Sequence, residues 1–177
     1  MTIHHTDPFA DPPSARDAVR SFRGRLATGV TLWTALGSRR PVGLTVSSIL
    51  VVNGTPARVL ALLDPLSDLA EALAFSGAAA VTVLGRDQQR LAEVFAGESP
   101  APGGAFRQAD FTDTAWGPTP AGAPTWAGVR LESVSEVGWS RLVTCQIEHV
   151  EAGGEGEPLV HYRGRYPHLD TQSLGER

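Results

Sequence analysis

The chain has 177 residues, a formal net charge of −4, 42% hydrophobic residues and one cysteine. That length suits one domain with a core of its own, and the negative balance provides no basic field for nucleic acid or for an anionic membrane surface. The single thiol, Cys145, excludes an internal disulfide and any zinc site built on several thiolates, and its apolar flanks "LVTCQI" mark a buried core residue. All 15 basic residues are arginine, a side chain better suited than lysine to phosphate.

Residues 1–13 are polar and proline-rich and predict an N-terminal arm. The arm has no apolar signal segment, and nowhere do eighteen apolar residues run together, so the sequence reads as a soluble cytoplasmic protein with no membrane partner. Residues 14–169 form the expected domain, with 170–177 a short tail. Ser14 offers a helix N-cap, and Ala18, Phe22, Arg25 and Leu26 recur at helical spacing until Gly29.

From Val30 the period becomes two. "GVTLWTAL", the tight turn "GSRR" and "PVGLTVSSILVV" predict paired strands, with Thr45, Ser47 and Ile49 on one face of the second and Leu44, Val46, Ser48 and Leu50 on the other. "NGTP" supplies another turn and "ARVLALLD" a third strand, making an antiparallel meander. In "DPLSDLAEALAFSG" Ser67 is a candidate N-cap, Asp68 and Glu71 sit in the first turn, Leu69 and Leu73 share a face, and Gly77 ends the helix. "AAAVTVLG" is a strand and "RDQQRLAEVFAG" a further helix. Residues 98–124 are rich in Gly, Pro, Ala and Asp, with Phe106, Phe111 and Trp116 interspersed. So long a connection reads as a lid or binding loop. "TWAGVRLESVSEV", "WSRLVTCQIEHVEAG" and "PLVHYRGRYPHL" return to strands. The chain is therefore mainly β, a closed or nearly closed antiparallel barrel with a few helices.

The common catalytic motifs GxSxG, Walker loop, HExxH and GxGxxG are absent. His4 and His5 lie in the arm, and His149 and His161 fall on separate strands, which gives no metal site. Ser67, at a helix start just after a strand, would present free N–H donors and the positive end of a dipole to an anion.

Five segments in order, "FRGRLATGVTLWTA", "RPVGLTVSSIL", "ALLDPLSDLAEAL", "AAAVTVLGRDQQRLAEVFAG" and "LVHYRGRY", resemble the flavin reductase family over residues 19–169. The resemblance implies a Greek-key FMN-binding split barrel that acts as a homodimer with flavin at the subunit interface. It implies an NAD(P)H-dependent flavin reductase that serves a separate monooxygenase. FMN is the expected flavin, with FAD the alternative, and NADH or NADPH the hydride donor. Carried over, the flavin-binding positions are Gly43, Thr45, Val46, Ser47 and Ser48 in "GLTVSS" and Leu63, Asp64, Ser67 and Asp68 in "LDPLSD". No acid–base residue is implied, because the flavin is the electron sink. His161, Tyr162, Arg163, Arg165 and Tyr166 are candidates for the nicotinamide side, or else form an edge strand pairing with acids.

The chain departs from the family pattern where a "GDH" turn often places a His near the nicotinamide. Here the turn reads "VGWSRL", so Trp139 either stacks on a ring or packs. Val94 stands where a basic residue often precedes the Phe. Two other readings follow: an FMN-holding electron carrier or sensor without fast turnover, and a flavin-dependent oxidoreductase whose pocket is shaped by residues 98–124.

Overall fold

The structure is a computed structural model and describes residues 13–154 and 156–169. Most of the expected arm, with His4 and His5, and the tail from residue 170 lie outside the described residues. In chain order the elements are helix α1 (Pro13–Gly24), β1 (Thr28–Gly29), β2 (Thr31–Leu36), β3 (Pro41–Val46), β4 (Ile49–Val52) and β5 (Arg58–Leu63). These are followed by α2 (Asp68–Ser76), β6 (Ala78–Val83) and α3 (Gln89–Phe95), then β7 (Phe111–Thr112), β8 (Thr119–Pro120), β9 (Thr125–Val137), β10 (Ser140–Ala152) and β11 (Val160–His161).

Seven strands make one antiparallel sheet in the order β3-β2-β6-β9-β10-β5-β4. Strands β3 and β4 thus occupy opposite edges, yet only Ser47 and Ser48 separate them in the chain. Three Cα steps span at most about 11 Å, so the sheet must curl until its two edges nearly meet. Leu62 N–H donates to Ser48 O at 3.1 Å, which carries the β4–β5 pairing one residue back towards the seam. The result is a barrel split at one point, as the mainly β reading with few helices anticipated. The single strand expected across Pro41–Leu50 is corrected here: the alternation stops at Val46, because the next residues must leave one edge of the sheet for the other.

Strand β2 is buried on both faces. Trp33 and Ala35 face the barrel interior with Val59, Val129, Val143 and Cys145, while Val30 and Leu32 belong to a second core with Leu91, Val94, Phe95 and Leu159. Helix α2 closes the first core with Leu69 and Leu73, which are 1% exposed. Its ends form as its sequence predicts: Ser67 Oγ accepts from Ala70 N–H at 3.2 Å, and Gly77, at φ 68°, donates its N–H to Leu73 O at 2.9 Å.

Two further expectations are corrected. Helix α1 starts at Pro13, so Ser14 is inside it, and it ends at Gly24 rather than Gly29. Thr28 and Gly29 instead pair with His161 and Val160 of β11, which draws the chain out of the helix. The stretch 98–124 is not an open loop. Phe106 packs edge-on against Phe95 with ring centroids 5.0 Å apart, Phe111 lies 6.0 Å from the same ring, and β7 pairs with β8. Trp116 stacks on His149 at 5.3 Å and donates its indole N–H to Glu148 at 2.8 Å. Phe106 and Phe111 are the outer layer of the second core, while Trp116 packs on Trp126 and His149 of β9 and β10.

Candidate functional site

A groove of about 1260 Å³ lies beside the seam. One wall is β4, β5 and β10, where Ile49 pairs with Ala61 and Leu62 with Leu142. The other wall is the end of α1, Thr28 of β1 and the turn after β11. Ser47 and Ser48 lie in the groove. Among the described residues no hydrogen bond engages either hydroxyl, which leaves both hydroxyls to a ligand or to water.

The turn after β11 is built unusually. Tyr162 and Arg165 exchange two backbone hydrogen bonds, of 2.8 and 3.0 Å, around Arg163 and Gly164 at φ 52° and 74°. Two successive left-handed residues make a type I′ hairpin turn. Arg163 is the one non-glycine residue with positive φ among the described residues, and its N–H donates to Gly24 O at 2.8 Å, fastening the turn to the end of α1. His161 and Arg163 both reach the groove. The structure therefore brings Ser47 and Ser48 together with His161 and Arg163, from segments more than a hundred residues apart in the chain.

The other candidates serve different surroundings. Gly43 sits under the Phe95 ring, where a Cβ would fall 2.6 Å from Cε1 and 2.8 Å from Cδ1. Thr45 donates its hydroxyl to Ala92 O at 2.7 Å and ties β3 to α3, while Val46 is buried and its carbonyl accepts from the Thr31 hydroxyl at 2.6 Å. Leu63 is 1% exposed in the barrel core. Asp64 Oδ1 accepts from Leu66 N–H at 2.8 Å, and the Ser67 hydroxyl donates to Asp64 O at 2.7 Å, so both side chains shape the start of α2.

Asp68 borders a smaller cavity of about 200 Å³ with Arg39, Arg40 and Phe75, and stands 3.5 Å from Arg40 Nη2. Trp139 is exposed at the tip of the β9–β10 hairpin, outside the groove lining. Arg163 lies over the Tyr162 ring at 5.9 Å, and Arg165 is exposed. The Tyr166 ring meets His161 edge-on at 5.7 Å, and its carbonyl accepts from Arg86 Nη1 at 2.5 Å. Burial, with the negative charges of Glu98 and Glu93 behind it, holds the Tyr166 phenol above its usual pKa, so this ring stays protonated near neutrality.

Sequence reasoning missed Arg20, Arg23 and Leu26, which line the groove from α1 and its exit, and Leu60, Leu62, Val137 and Leu142 of the opposite wall. A signal for the first set was present: arginines three apart on a helix fall on one face. The second set gave none, because their closeness depends on which strands pair.

The groove holds no nucleophile–base pair. Its titratable groups are His161, Glu98 and arginines, and among the described residues no cluster of His, Cys, Asp or Glu can hold a metal. Burial pushes the Cys145 thiol up to about 12, which makes it inert. Apolar walls, unengaged hydroxyls at a backbone seam and several cations suit a flat, largely apolar ligand that carries phosphate.

The chain matches the flavin reductase like domain over residues 23–170. It is 31% identical over 158 residues to the reductase component of a 4-nitrophenol 4-monooxygenase/4-nitrocatechol 2-monooxygenase from Rhodococcus opacus, covering 89% of this chain and 83% of that one. It is 27% identical to FMN reductase (NADH) RutF of Ancylobacter novellus, with 88% and 86% covered. Among solved structures, nitrilotriacetate monooxygenase component B from Mycobacterium thermoresistibile superposes with a TM-score of 0.83 at 23% identity, over 93% of this chain and 92% of that one.

Proposed function

Because the chain belongs to the flavin reductase like family, we propose that it is an NAD(P)H-dependent FMN reductase that supplies reduced flavin to a separate monooxygenase component. One observation carries the reading furthest: a single groove of about 1260 Å³ receives Ser47 and Ser48 from the seam and His161 and Arg163 from the last turn. That volume exceeds the roughly 300–1,000 Å³ typical of a one-ligand pocket, which fits a flavin and a nicotinamide held together.

The residues present fit the flavin. Ser47 and Ser48 carry free hydroxyls and non-strand backbone at the place where the curled sheet is open, and Ile49, Leu50 and Leu62 supply apolar surface for a ring system. A bound flavin would supply the ring system that takes up a hydride from a nicotinamide. Ser47 and Ser48 would orient its polar edge by donation and oppose the negative charge that develops there. The apolar wall keeps water from the reacting face, and the walls hold the two rings in register, so that binding supplies the orientation. No protein base is needed for such a transfer, because the flavin is the electron sink.

The working form is a cytoplasmic homodimer. Strand β4 is a free sheet edge whose Leu50 and Val51 are 69% and 66% exposed, and an apolar edge of this kind calls for a partner. It borders the groove, so a second copy there would complete the walls around the flavin. The mass in solution by light scattering tests this, and a monomer at micromolar concentration refutes it.

The activity test is anaerobic mixing of the protein with FMN and excess NADH, then NADPH, followed at the flavin band. Rapid bleaching is expected. Bound flavin that neither donor bleaches would instead establish the carrier or sensor reading, which Trp139 and Ser140 at the hairpin turn favour.

A further inference from the structure

Three arginines, Arg20, Arg23 and Arg163, line one wall of the groove. Arg20 and Arg23 are three residues apart on α1 and share a face. Arg163 follows at once in space, because its N–H is bonded to the carbonyl of Gly24, the residue after Arg23. All three line the groove, and among the described residues none has a carboxylate partner within ion-pair distance. Glu98 is the acidic side chain on the same lining, and His161 lies on it two residues before Arg163. Three arginines against Glu98 leave two positive charges in excess on this wall.

The Arg163 backbone strengthens the case. A left-handed φ of 52° costs an arginine side chain stability that glycine or asparagine would not lose, and the turn would form at least as well with glycine there. Strain kept at a residue that faces a cavity is a mark of a site.

We propose that Arg20, Arg23 and Arg163 form a clamp for the pyrophosphate of a dinucleotide. The proposal rests on the flavin reductase reading and names what the charged wall of that groove takes. Two negative charges on adjacent phosphoryl groups match the excess on the wall, and guanidinium forks suit their oxygens. At about 1260 Å³ the groove exceeds the roughly 300–1,000 Å³ of a one-ligand pocket, and Ser47 and Ser48 lie on a separate polar part of its lining. The same chemistry is offered by two sources, the ADP half of NAD(P)H and the ADP half of FAD.

The test begins with calorimetric titration of the full chain with ADP, which involves no turnover. Wild-type protein should bind ADP, and more weakly as salt rises. Arg20→Gln, Arg23→Gln and Arg163→Gly should each weaken ADP binding by about tenfold, the weight of one charge-assisted hydrogen bond, and leave the affinity for FMN within twofold. Arg163→Gly is the decisive variant, since it relaxes the turn: its melting temperature should equal or exceed that of the wild type while ADP binding falls. Steady-state reduction of FMN separates the sources. A raised KM for NADH at unchanged kcat assigns the clamp to the nicotinamide dinucleotide, whereas weaker FAD binding with NADH kinetics untouched assigns it to the flavin. ADP affinity unchanged in all three variants, or a loss confined to FMN, overturns the clamp. Failure of wild-type protein to reduce any flavin would overturn the reductase reading instead, whatever ADP does.

Discussion

Replacing Gly43 with alanine separates packing from ligand contact at a residue that the sequence assigns to the flavin. The new methyl carbon would lie 2.6 and 2.8 Å from two carbons of the Phe95 ring and 3.3 Å from Trp33 O. Favourable carbon contacts begin near 3.5 Å, so the ring would have to retreat by about 0.8 Å. Phe95 is 5% exposed and wedged against Phe106 and Phe111, and α3 behind it is tied to β3 by the Thr45 hydroxyl. Overpacking of this kind costs about 1–3 kcal/mol, and the stiffer unfolded chain returns about 0.4–1 kcal/mol. The net expectation is about 1–2 kcal/mol of destabilisation. At about 2–4 °C per kcal/mol for a chain of this size, the melting temperature should drop by about 2–8 °C. Thermal and urea unfolding measure it, and FMN affinity of the folded variant should stay within twofold. Adding Phe95→Leu should recover about 1 kcal/mol relative to the sum of the single changes. A Gly43→Ala protein of wild-type stability that no longer binds FMN would refute the argument and return Gly43 to the ligand.

Ser47→Ala with Ser48→Ala should behave in the opposite way: FMN binding weakens by about tenfold or more while the melting temperature moves by less than about 2 °C, because neither hydroxyl has a partner in the fold. Unchanged flavin affinity would remove the seam from the site. The Cys145 thiol, raised from its ordinary value near 9 to about 12 by burial and then by the charge of Glu132, should resist thiol reagents at pH 8 until the protein unfolds. Because its folded pKa is raised, the stability it contributes is complete below about 9 and is lost as pH climbs from 9 towards 12. Cys145→Ser should flatten that part of the stability–pH curve. A thiol that reacts at once in native protein would contradict its burial.

Local signals were legible where the forces that set them are local. Helix α2 could be placed between Ser67 and Gly77 because a cap hydroxyl and a left-handed glycine act within four residues. The break at Ser47 and Ser48 was not legible: two-residue alternation continues through "TVSSIL", and the reason for the break is that β3 and β4 belong to opposite edges of one curled sheet. The end of α1 was misplaced for a similar reason, since the pairing of Thr28 with His161 is made across the whole domain. For the site, the resemblance identified Ser47, Ser48, His161 and Arg163, which meet in the groove. The hydroxyl of Ser67, a position the resemblance also assigns to the flavin, is engaged by its own helix start. For Arg20 and Arg23 the spacing showed a shared helical face, but nothing local told whether that face meets solvent or a cavity.

The strand order also sets a timetable for synthesis. One side of β5 is satisfied early by β4, but its other side pairs with β10, and the register Leu63 to Arg141 means that 78 further residues must be made first. At about 5–20 residues per second that is a wait of about 4–16 s with "VLALL" open along one edge. The same delay applies to the groove, whose second wall needs residue 161 to meet residue 28. Flavin is therefore a poor template for the nascent chain and a good lock for the finished one. Substitutions that make Leu60–Leu63 more apolar should be read out in the yield of soluble protein well before they register in its equilibrium stability.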